Sequence, residues 1–130
     1  MSEAEVAATV LACGLLLVSL ATHAVASTTR AGQLSRNDAL GIRTRSTQAS
    51  DEAWHAAHQA ALPWLTRAHR VGYTGAALTL ALALALSVFA GSISVAALLT
   101  VIIGAYVVVL TCITVGGVVA PRKARSVDVP

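Results

Sequence analysis

Three long apolar runs limit this chain to very few folds. Residues 6–27, 71–90 and 93–120 are almost free of charge. Each has the about 20 residues that a helix needs to cross a hydrocarbon core of about 30 Å. No water is available there to satisfy backbone N–H and C=O groups, so a segment in lipid must satisfy them within the protein, and a helix does so locally. The alternation Leu80-Ala81-Leu82-Ala83-Leu84 imitates a strand. An unbroken apolar run of good helix formers outweighs it. Only 12% of the chain is charged and 56% is hydrophobic, whereas a soluble domain carries about 25% charge. The sequence therefore predicts an all-α membrane protein, one unit over residues 1–130 with three transmembrane helices.

The first run is read as a retained span. Ala24-Val25-Ala26 looks like a leader-peptide cleavage site, but Glu3 and Glu5 stand where such a leader needs positive charge. Ser2 and Glu5 form a capping box leading into the apolar run. All nine Lys and Arg residues fall between Arg30 and Arg70 or between Arg122 and Arg125. The positive-inside rule then places the N-terminus outside, the 28–70 loop inside, the Gly91-Ser92 turn outside and the C-terminus inside. Pro121 is expected to end the third span, which is long enough to tilt. Cys13 and Cys112 differ in depth by about 15 Å in this topology. A disulfide needs Cα atoms within about 7 Å, so both read as small buried hydrophobes.

The loop at 28–70 holds most of the polar chemistry. Asn37 and Asp38 favour a side-chain-closed turn, and Gly41 is where the backbone most cheaply adopts φ > 0. Arg43, Thr44, Arg45, Ser46 and Thr47 follow, a dense set of donors beside a membrane. Ser50 then caps a helix whose first turn carries Asp51 and Glu52. Trp54, Ala57, Ala61 and Leu65 share one face of that helix, with Glu52, His55 and Gln59 opposite. This pattern predicts a short interfacial helix, with Trp54 at headgroup level and a break or kink at Pro63. Trp64, Arg67, His69, Arg70 and Tyr73 form an anchor before the second span.

The series Asn37, Gly41-Ile42-Arg43-Thr44, Thr47, Ser50 and Trp54 resembles the motif of the SdpI family of small bacterial membrane proteins. That family usually has an asparagine shortly after the tryptophan, where this chain has His58. The resemblance covers the motif closely and the flanking helices by hydropathy. It implies a multi-pass protein of the bacterial cytoplasmic (inner) membrane, in a family that includes a toxin-immunity and signalling protein beside many of unknown role. Its site residues here are Asn37, Gly41, Arg43, Thr44, Thr47, Ser50, Trp54 and His58.

Each chemical reading of these residues has a structural rival. Arg43, Thr44 and Thr47 suit a lipid phosphate or an acidic tail, because an Arg fork matches phosphate geometry. The favoured alternative is that they tie the loop beneath the helix ends, with Arg43 inward and Arg45 outward. Glu52, His55 and His58 imitate a metal helix, but the steps turn His58 towards the Trp54 face, and no metal is expected. His23 is an ionisable residue near the inner end of a span, a functional candidate by default. Haem held by His23 and His69 has no further support, and no cofactor is expected. Gly72 with Ala76, and Thr100 with Gly104, are small-residue spacings that permit close helix packing.

No nucleophile–base pair or phosphate-cradling glycine loop stands out in the sequence, so no enzyme is expected. The basic balance is assigned to anionic lipid on the inner face and not to nucleic acid. Two functions follow. One is non-enzymatic SdpI-like immunity to a membrane-active peptide, or signal relay through binding. The alternative is a small accessory subunit bound to other membrane proteins, as in a respiratory or transport complex.

Overall fold

The computed structural model describes residues 3–88 and 94–127. Ser2 of the capping box, the Gly91-Ser92 turn and the start of the third run lie outside the described residues. Three helices make up the fold: α1 (Glu3–Arg30), α2 (Asp51–Val88) and α3 (Val95–Val127). They contain 28, 38 and 33 residues, and each is long and apolar enough to cross a membrane. Fourteen large hydrophobic side chains, among them Val10, Leu17, Leu84, Ile103 and Leu110, are exposed on the described surface. In water that surface would be a liability; in a bilayer it is the solvated face. The chain is a multi-pass membrane protein.

α2 is the shared spine, packed along both α1 and α3, while α1 and α3 meet only briefly. The buried positions repeat at alternating steps of four and three. In α1 they include Ala8, Ala12, Leu15, Ser19, Thr22, Ala26 and Thr29; in α3 they are Leu98, Ile102, Ala105, Val109, Cys112 and Gly116, followed at steps of four by Ala120 and Ala124. α2 follows the same rule through Trp54, His58, Ala61, Leu65, Ala68, Gly72, Gly75 and Thr79. A 3.5-residue repeat keeps one face of a helix on its neighbour along a gentle left-handed wrap.

Small residues set the distances between helices. A Cβ at Gly72 would lie 1.9 Å from Ser19 Oγ, and one at Gly75 would lie 2.4 Å from Ala105 Cβ. Two glycines three residues apart thus bring α2 close to α1 at Gly72 and to α3 at Gly75. Ser19 and Thr79 are fully buried, yet their hydroxyls donate to the Leu15 and Gly75 carbonyls of their own helices. Where α1 and α3 meet, Tyr106 Oη donates to the Leu11 carbonyl at 2.8 Å. Gly14 makes room for that phenol, since a Cβ there would stand 2.8 Å from Tyr106 Oη.

Four expectations need correction. No separate interfacial helix precedes the second span: residues 51–62 are the first turns of α2, which runs through Pro63. Pro63 is exposed, and Ala61 and Leu65 on either side of it are buried; that packing holds the backbone helical despite the missing N–H. α3 likewise continues through Pro121 to Val127, because Ala120 and Ala124 pack into the core formed by Trp54, Ala57 and Ala61. Trp54 is fully buried within the protein and presents no face to the headgroups. Cys13 is exposed on the bundle exterior and only Cys112 is buried; both are free.

Candidate functional site: a buttressed loop

The connection between α1 and α2 begins with a glycine that the sequence reading passed over. Gly32 has φ 68°. The N–H of Gln33 donates to Thr28 O at 2.9 Å and that of Gly32 to Thr29 O at 3.1 Å. This is a Schellman ending: a left-handed residue lets the chain turn back and satisfy the last carbonyls of the helix. Gly two positions after Arg30, itself in the last turn, was the available signal.

Asn37 closes the next turn. Its Oδ1 accepts from the N–H groups of Ala39 and Leu40 at 2.8 and 2.7 Å, and its Nδ2 donates to Ser35 O at 2.7 Å. The chain then crosses the start of α2 at Gly41, with φ 112°. A Cβ there would stand 2.6 Å from His58 Nε2 and 3.0 Å from the Trp54 ring. The Trp54 and His58 rings pack together at 4.2 Å between centroids and form the surface on which this glycine rests.

His58 fixes the loop by a directional bond. The Ile42 N–H donates to His58 Nε2 at 2.8 Å, and His58 Nδ1 lies 2.8 Å from Trp54 O. A nitrogen that accepts from an amide cannot carry a proton, so His58 is the neutral imidazole with its hydrogen on Nδ1. Burial pushes its pKa down; the Trp54 carbonyl opposes that shift and neighbouring His55 adds to it. On the other side of the ring pair, Trp54 Nε1 donates to Leu34 O at 2.9 Å.

Thr47 is the interior pin of the distal part of the loop. It is fully buried. Its hydroxyl donates to Ile42 O at 2.7 Å and accepts from the Thr44 N–H at 2.9 Å. Thr44 Oγ1 in turn accepts from the Thr47 N–H at 3.2 Å. Ser50 Oγ accepts from the Ala53 N–H at 3.0 Å, the geometry of an N-cap. These threonines thus join strands of the loop to one another, and the carbonyls they satisfy belong to the loop and not to helix ends.

Arg43 departs from the expected inward placement, whereas Arg45 points outward as expected. Arg43 is exposed and donates through Nη1 to the Asp38 carbonyl, so it braces the turn from outside. Arg45 is exposed as well and makes no hydrogen bond or ion pair among the described residues. Asp51 pairs with Arg36, whose Nε lies 3.0 Å from Asp51 Oδ1 and whose Nη1 donates to Gln48 O at 2.8 Å. Arg36 is therefore the arginine that ties the loop to α2. Its position lies outside the recognisable motif, and only the return of the loop towards Asp51 gives it a role.

Other candidates separate. Glu52 and His55 are exposed while His58 turns in beneath Gly41, so these three do not converge on one point. Among the described residues no three His, Cys, Asp or Glu side chains are grouped to hold a metal. His23 and His69 pack ring to ring at 4.8 Å, with Tyr73 about equally far from both. Direct contact of the imidazoles leaves no gap for a porphyrin between them. Leu40, Gly41 and Ile42 also line an open cleft of about 240 Å³ with Thr22, Val25 and Leu65.

Fold and site together define a class: a three-helix membrane protein whose first connection is a polar loop buttressed on its second helix. Residues 33–120 match the SdpI/YfhL protein family, and the chain belongs to that family. The matched stretch starts just past α1 and takes in the whole motif loop, α2 and α3 as far as Ala120. No curated protein and no solved structure matches the chain.

Proposed function

We propose that this protein works by binding and not by catalysis, as an SdpI-like protein of the bacterial inner membrane. It gives immunity to a membrane-active peptide or relays a signal. The carrying observation is the use made of the motif side chains. Asn37, Thr44, Thr47, Ser50, Trp54 and His58 all direct their polar atoms to internal hydrogen bonds. They build a rigid platform, and Arg43 and Arg45 remain on its outer surface. A basic surface on a fixed backbone suits an acidic partner, because only the arginine side chains are left to order on association.

The platform faces the cytoplasm in this reading, since every Lys and Arg lies towards the loop or in the C-terminal tail. In a chain with Cys13 and Cys112 replaced by alanine, a cysteine at position 92 should react with an impermeant thiol reagent added outside. One at position 46 should not. Reversed labelling would overturn the orientation.

The function itself is tested in cells. Loss of the protein should sensitise its host to a membrane-permeabilising peptide, and the wild-type chain should restore resistance where Gly41→Val does not. Unchanged sensitivity, together with stoichiometric co-purification in a large membrane complex, would replace immunity by the accessory-subunit role.

A further inference from the structure

Between α2 and α3 the apolar exterior opens into a groove of about 390 Å³, lined by Arg70, Thr74 and Gly75 on one helix and Gly104, Ala105 and Val108 on the other. Its origin is the close approach at Gly75 and Ala105, which brings the two backbones together with little side chain to fill the space outside them. Gly104 is not required by packing within the chain, because a Cβ there would meet nothing within 4 Å. The two ends of the groove differ. One end is apolar and runs towards the middle of the spans; the other, nearer the motif loop, carries the exposed guanidinium of Arg70. The adjacent His69 has two cations acting on it, Arg70 and Arg30. The ion pair among the described residues is Arg36 with Asp51, so Arg70 has no acidic partner there.

We propose that this groove holds one acyl chain of an anionic phospholipid, with Arg70 at the headgroup phosphate. A lipid fits both ends at once: its tail follows the small-residue floor into the bilayer, and its phosphate meets the cation at the interface. A helix from a second copy fits less well. Packed over Gly104, it would cover Arg70 without bringing a counter-charge, and an unpaired buried cation is strongly destabilising. The lipid brings its own anion. This inference rests on the three helices lying in a bilayer and is independent of the immunity or signalling role.

The test uses the full chain in vesicles of equal phosphatidylglycerol and phosphatidylcholine, extracted in mild detergent, with retained lipids counted by native mass spectrometry. Wild type should keep one phosphatidylglycerol, preferred over phosphatidylcholine by about fivefold, the effect of one arginine near the surface. R70Q should bring the two lipids close to parity. G104L should lose both, since its side chain occupies the groove. Both sites are exposed, and unchanged melting temperatures establish that the variants fold. Equal retention of the two lipids by wild type would overturn the proposal, as would undiminished retention by G104L. A dimer in place of a lipid, lost in G104L, would assign the groove to a second copy. Failure to enter vesicles at all would instead refute the membrane placement.

Discussion

The two ends of α2 are built on different rules. Around Trp54 and His58, burial is achieved by partnering: the indole N–H, both imidazole nitrogens and the Thr47 hydroxyl each have a named acceptor or donor. Around Gly72 and Gly75, burial is achieved by size. The helices approach because a side chain is missing, and the outside of the bundle is as apolar as the inside. In water the hydrophobic effect separates interior from exterior, but in lipid it does not, and packing has to make the distinction. The polar end therefore depends on bond geometry and the apolar end on volume.

That contrast is sharpest at the glycines. Gly41→Val combines a side chain at positive φ with overlap against His58 and Trp54. It should cost about 4 kcal/mol, the sum of backbone strain and overpacking. Limited proteolysis in membranes should then cut the loop, while α2 and α3 stay protected; a wild-type digestion pattern would show that the platform does not depend on this turn. In the apolar half, Gly72→Val should push α1 from α2 and cost about 2–3 kcal/mol. Gly104→Val, with open space around it, should leave the melting temperature in detergent nearly unchanged. Similar losses from these two would mean that volume at the α1–α2 seam is not the controlling quantity.

His58 tests the partnering rule directly. His58→Ala leaves the Ile42 N–H without its acceptor and should cost about 2 kcal/mol. The wild-type loop should also respond to pH. Because burial lowers the His58 pKa, the unfolded loop binds a proton more readily than the folded one. The contribution is complete above about pH 6.5, the ordinary histidine value, and is lost as pH falls through the lowered folded value. The protection factor of the Ile42 amide, its exchange rate taken against the intrinsic rate at the same pH, should fall on acidification in the wild type. A pH-independent protection factor would exclude His58 as the latch.

The smallest effects belong to the arginines. Arg43→Ala and Arg45→Ala remove exposed groups, and each should change stability by well under 1 kcal/mol. Arg36→Ala, which removes both the Asp51 pair and the bond to Gln48 O, should cost more than either. Thermal melts of the three variants give the order. A larger loss from Arg43→Ala would restore an inward role that its exposed position does not support.

These differences follow what a single sequence makes legible. Length and polarity mark the three spans, and local spacing marks the turn at Asn37, the glycine at 41 and the cap at Ser50, because each acts on residues close by. Placing Arg43 inward failed because a buried role was assigned to the longest, most charged donor. The loop instead buries the compact hydroxyl of Thr47 and leaves the guanidinium outside. Pro63 and Pro121 read as terminators because their cost is local, while the packing that offsets it comes from distant residues such as Trp54 and Ala124. The 3.5-residue seam was hidden for a further reason. In apolar helices it is a periodicity of side-chain size, and hydropathy does not record it.

The central position of α2 also bears on the order in which the protein is made. The loop's hydrogen bonds join residues that lie between Ser27 and His58. They are available as soon as the first helical hairpin leaves the ribosome. α3 arrives last and adds Ala120 and Ala124 to a core that α1, the loop and α2 have already outlined. Because α1 and α3 meet only briefly, the late helix has little to displace. Synthesis from the N-terminus thus supplies every hydrogen-bond partner of the polar loop before the third helix.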